Sequence, residues 1–201
     1  MKRFEGKRGM IFLLLAVLLI AGYYYYISNR SAEQEKTEEE YVTVSEVQDL
    51  LLRDLTNNYP PSPKEVVKHY SEITKCLHNE KLSEEELYQL AMKIQELYDS
   101  ELRENKSQEE YLADLKSEIT IFQENDYAIS DYATSVSTDV DFYSVDGYSF
   151  ARLYCTYYIR VKTSMKSLNE VFLLRKDEND HWKIYGWQPV VDQQETDGNE
   201  E

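Results

Sequence analysis

The sequence predicts an α+β domain of amphipathic helices packed on an antiparallel sheet, preceded by an N-terminal transmembrane helix. Three observations predict it. Helix-capping patterns and apolar residues at three- and four-residue spacing fill the stretch from Ser45 to Phe122. After Asn125-Asp126 the apolar period changes to two, without any strand–helix–strand alternation. One uncharged apolar run, Met10 to Ile27, stands before both.

The N-terminus, residues 1–9, carries Lys2, Arg3, Lys7 and Arg8 against Glu5. The run over 10–27 would form about 27 Å of helix, close to the hydrocarbon thickness of a bilayer. Tyr23 to Tyr26 stand at its end, where amphipathic rings favour the membrane–water interface. Basic residues before the run and acidic ones after it predict a cytoplasmic N-terminus and an extracytoplasmic remainder. The expectation is a single-pass signal-anchor in the cell membrane. A cleaved signal peptide is the rival, since Ile11 to Ala21 has the length of its apolar core and Ala21-Gly22 are small. Leu19 and four tyrosines after the cut count against it. Residues 28–40 read as an acidic linker, 41–191 as the extracytoplasmic domain and 192–201 as a disordered acidic tail.

Four helices are expected within the domain. Ser45 and Gln48 form a capping pattern ahead of Val47, Leu51 and Leu55, ending at Asn57-Asn58. Pro60 and Pro61 stop that helix, Ser62 caps the next and Pro63 fits its first position, with Val66, Tyr70, Ile73 and Leu77 inward. Ser83 with Glu86 opens a third, and Ser107 with Glu110 a fourth that buries Tyr111, Leu115, Ile119 and Phe122. Strands are expected over Tyr127–Val136, Asp141–Val145, Tyr148–Lys162, Leu168–Lys176 and His181–Trp187. Asp146-Gly147 is a tight-turn pair, and short connections favour an antiparallel meander.

The opening PSPKEVVKHYSEI and the closing hairpin EVFLLRKDENDHWKIYGW resemble the nuclear transport factor 2-like superfamily. The resemblance covers residues 62–191 and implies a cone of helices on a curved antiparallel sheet. Over its whole length the chain also resembles an uncharacterised family of bacterial single-pass membrane proteins.

A formal charge of −16, from 38 acidic and 22 basic residues, argues against nucleic acid as partner. Two cysteines are too few for a disulfide scaffold or a four-thiolate zinc site. Cys76 and Cys155 read as buried thiols in preference to a disulfide pair. Asp139-Val-Asp141 begins like a calcium loop, but Tyr143, Ser144 and Phe150 occupy later ligand or glycine places. No catalytic, cofactor or metal residue is assigned. His69 and Tyr70 are considered for acid–base chemistry and read as packing residues instead.

Alternation along the long strand sets Arg152, Tyr154, Thr156, Tyr158 and Arg160 opposite the core set Ala151, Leu153, Cys155, Tyr157 and Ile159. With Trp182 and Ile184 inward, Tyr185 and Trp187 turn outward together. Arg152, Tyr154, Tyr158, Arg160, Tyr185 and Trp187 are therefore the expected partner surface, for another protein or a second copy. The resemblance implies pairing through that face. The functional expectation is a membrane-anchored binding or interaction domain without catalytic activity or cofactor, its small-molecule ligand unknown. The alternatives are a cone-pocket enzyme of isomerase or dehydratase type and an accessory subunit of an envelope assembly.

Overall fold

The computed structural model describes residues 45–190. The expected span over 10–27, the linker over 28–40 and the tail over 192–201 lie outside the described residues. Among the described residues, five helices precede five strands. The helices are α1 (Glu46–Leu52), α2 (Pro63–Asn79), α3 (Glu84–Leu97), α4 (Ser100–Glu104) and α5 (Gln108–Glu124). The strands are β1 (Tyr127–Thr134), β2 (Asp141–Val145), β3 (Tyr148–Val161), β4 (Ser164–Lys176) and β5 (Trp182–Pro189).

Local chemistry accounts for most boundaries. The Ser62 hydroxyl accepts the Glu65 amide and Pro63 occupies the first turn of α2, where its missing N–H costs nothing. Ser83 with Glu86, and Ser107 with Glu110, close reciprocal capping boxes at α3 and α5. α1 ends sooner than its apolar spacing suggests. The Asp54 carboxylate accepts the amides of Thr56 and Asn57, a turn that competes with helix continuation. The short α4 has no apolar period of its own. Asp99 caps it by accepting the Glu101 amide.

All strand pairs are antiparallel, in the order β1-β3-β4-β5 with β2 also on β3. β1 and β2 share one edge of β3, β1 along Cys155–Val161 and β2 along Tyr148–Arg152. Asp146 and Gly147 both take positive φ, 51° and 84°, as a two-residue hairpin with the right twist requires. β4 starts four residues before its expected Leu168, because the β3–β4 turn at Lys162-Thr163 is tight and the whole arm Ser164–Ser167, Met165 included, is exposed. Solvent on both faces erases the alternation that would have announced it.

α2 is the central helix, packed on the sheet and flanked by other helices, so its buried face includes Val67, Ser71 and Cys76 beyond the expected stripe. Opposite it lie Ala151, Leu153, Cys155 and Tyr157 of β3, Phe172 and Leu174 of β4, and Ile184 of β5. Cys76 and Cys155 are buried and unbridged.

Two expectations are corrected. The sheet is open and uncurled, with β1 and β5 at its margins and no strand closing it, so the expected nuclear transport factor 2-like cone is not observed. The membrane reading also goes unsupported. Among the described residues no helix is long and apolar enough to cross a membrane. Single-pass topology, the membrane as partner and an extracytoplasmic address are therefore not carried into the functional reading.

Candidate functional site

α2 carries Tyr70, Thr74 and His78 at successive four-residue steps, which aligns them along one face. That face, with α3, the α4 segment, α5 and the end of β5, lines a half-open cavity of about 330 Å³. Its volume lies in the range of small-molecule sites. One end is aromatic. The Tyr98 ring centre lies 6.3 Å from both Tyr70 and Tyr111 and 5.6 Å from Trp187. Leu77, Ile94 and Leu115 continue the apolar wall. Burial pushes the hydroxyls of Tyr70, Tyr98 and Tyr111 well above the ordinary tyrosine range, so they stay protonated as hydrogen-bonding walls.

The other end is polar. His78 Nδ1 lies 2.8 Å from the Thr74 carbonyl, which only accepts, so Nδ1 carries a proton. Phe122 packs edge-on against the ring at 4.6 Å and holds its orientation. His78 Nε2 and Thr74 Oγ1 are buried and have no hydrogen-bond partner. Nε2 is 3.3 Å from Glu118 Oε1, close enough to pair in charge but out of line for a hydrogen bond. The neighbouring ring holds the Glu118 carboxylate below its usual range. A buried polar atom left unmatched costs about 1–3 kcal/mol, so two of them in one cavity are an unspent recognition capacity.

A second polar cluster ties α1 to α2. The Arg53 guanidinium donates to His69 Nδ1 at 2.8 Å, to Asp49 at 2.9 Å and to Glu72. Because arginine only donates, Nδ1 of His69 is the acceptor. The His69 ring and Arg53 hold the Glu72 carboxyl down at about 2. His69 thus serves this cluster and faces away from the aromatic cavity that its neighbour Tyr70 lines. Among the described residues no group of three or more His, Cys, Asp or Glu is arranged to hold a metal ion.

The expected outer-face surface divides. Tyr154 and Tyr158 are 44% and 40% exposed, and Arg160 is exposed, as alternation requires. Arg152 is tied to Asp141 on β2 at 2.8 Å. Tyr185 donates to Glu101 at 3.0 Å beneath the Arg175 guanidinium. Trp187 is on the other face altogether. Leu173 pairs with Gly186 but Leu174 pairs with Ile184, so Tyr185 is an extra residue in β5. A bulge shifts alternation by one, and Trp187 lands opposite Phe172 inside the aromatic end of the cavity. The six residues form no joint patch, and the protein-partner or homodimer reading of that face is withdrawn. Sequence reasoning missed Thr74, His78 and Tyr98. The recurring Tyr70, Thr74 and His78 steps were the signal available.

Glu170 lies on the inner face of β4, in register with Cys155 and Pro189. Burial first, and then the Glu118 charge, raise its carboxyl from the ordinary 4.5 to about 7. The folded state therefore binds the proton more tightly than the unfolded one. Stability is full below about pH 4.5 and falls as pH rises toward about 7. Glu170→Gln is expected to raise stability at pH 8 by about 1–2 kcal/mol, with the difference gone at pH 4.5. Urea denaturation at both pH values measures it; an equal gain at both would place the effect in packing.

No curated protein matches the chain. A family model described as a domain of unknown function, DUF6715, matches residues 1–187. That description names neither the nuclear transport factor 2-like superfamily nor membrane proteins, which corrects the resemblance read from the sequence. Since the match spans most of its length, the chain belongs to the DUF6715 family.

Proposed function

We propose that this domain binds a small, largely apolar molecule in the cavity between α2, α3, α5 and the end of β5, as a binding module and not a catalyst. The carrying observation is the pairing of an aromatic-walled space of about 330 Å³ with two buried polar atoms that lack partners inside it. Apolar walls supply the driving force for entry, and a few unmatched polar groups orient what enters. Tyrosine hydroxyls held protonated act there as walls and hydrogen-bond partners, which favours binding over turnover.

Prodan, a neutral solvatochromic naphthalene dye, is expected to bind one-to-one with saturable fluorescence enhancement. Leu102 is half-buried on the rim, so Leu102→Trp should narrow the cavity and cut the dye's affinity at least tenfold while circular dichroism keeps the native signature. Absence of saturable binding, or unchanged binding in the folded variant, refutes the reading.

A further inference from the structure

On the reading that this cavity binds a ligand, we infer that the ligand is an organic amine whose ring lies among Tyr70, Tyr98, Tyr111 and Trp187 and whose nitrogen reaches His78 and Glu118. α2 and α5 both run from the aromatic end to the polar end, Tyr70 toward His78 and Tyr111 toward Glu118. The eight-residue step from Tyr70 to His78 is about 12 Å of helix, the reach of one ring plus a short alkylamine.

The polar end presents an acidic acceptor beside unmatched polar atoms. His78 Nδ1 donates to the Thr74 carbonyl, which leaves the buried, unpartnered Nε2 as the ring atom beside Glu118. Nε2 stands 3.3 Å from the Glu118 carboxylate with no hydrogen bond in line between them, and that carboxylate is the acidic acceptor at this end. An ammonium group brings three N–H donors and can meet the Glu118 carboxylate and Thr74 Oγ1 together. Its positive charge is matched by Glu118. The other charges on the lining are Arg103, Lys106 and Asp114. Lys106 pairs with Asp114 at 2.5 Å, so the acid nearest His78 remains Glu118. A carboxylate ligand would instead have to meet Glu118 across the same end, where like charge opposes it.

Displacement of prodan separates this inference from the binding reading. Phenethylamine, phenethyl alcohol and hydrocinnamate share one ring and one chain length but end in a cation, a neutral hydroxyl and an anion. Phenethylamine should displace the dye at a concentration at least tenfold below that of hydrocinnamate and severalfold below that of the alcohol. Glu118 is 63% exposed at its side chain, so Glu118→Gln leaves the core intact. In that variant the amine-to-acid ratio should fall toward one. Dye binding with equal displacement by all three, stronger displacement by hydrocinnamate, or a preference that survives Glu118→Gln overturns the amine assignment while the cavity's binding role stands. Absence of dye binding overturns both.

Discussion

Arg175→Met is expected to destabilise the domain by about 3–5 kcal/mol, the largest polar effect in the described residues. Asp99 is 3% exposed and takes two bonds from Arg175, at 3.0 Å and 2.6 Å. The same carboxylate caps α4 through the Glu101 amide, while the Asp99 backbone N–H donates to Ile184 on the margin of β5 at 2.8 Å. One residue therefore fastens the helical layer to the sheet. The Arg175 guanidinium is clamped between the Tyr148 and Tyr185 rings, at 5.0 Å and 4.7 Å, which fixes its direction. Methionine would fill much of that space but leave a buried carboxylate with a single amide for company. The double variant Arg175→Met with Asp99→Asn should recover most of the loss, because the unpaired charge goes with it. Urea denaturation at pH 7 measures both. A loss below about 1 kcal/mol would mean that solvent screens the pair as it does at a surface.

Phe172→Ala should cost a similar amount, about 3–5 kcal/mol, and should report on the register of β5 as well. Phe172 is fully buried, with its ring 5.5 Å from Tyr70 and stacked on Trp187 at 6.1 Å. Truncation removes the floor of the aromatic end and opens Trp187 to water from beneath. In a Trp182→Phe background, Trp187 is the sole indole, so its emission should shift to the red in the still-folded fraction. If Trp187 faced outward as simple alternation expects, its emission would not respond. Phe172→Leu, which keeps more of the volume, should cost less than half as much.

The parts legible from sequence are those settled within three or four residues. Ser62 with Pro63, and the Ser–Glu boxes at α3 and α5, each satisfy amides one turn away, and the start sites coincide with the residues that do so. The long strand keeps its inward and outward sets because pleating forces a period of two wherever one face is covered. Asp146-Gly147 turns the β2–β3 hairpin for an equally local reason, the positive φ of both residues.

The rest required the third dimension. Apolar spacing ran α1 past Leu52 because the Asp54 turn is a polar event that hydrophobic periodicity does not register. An open sheet and a cone share the same succession of strands, and only the pairing of their margins separates them. At the candidate site the sequence supplied a ridge, Tyr70, Thr74 and His78, but Glu118 meets His78 from a helix far along the chain, and Trp187 joins through a bulge at Tyr185 that no propensity marks. By itself the sequence determined where helices begin and which faces of the strands are apolar, since those depend on neighbours along the backbone. Which polar atoms end up buried without a partner, and which rings wall the cavity around them, was decided only by tertiary packing, because both are properties of residues brought together from distant segments.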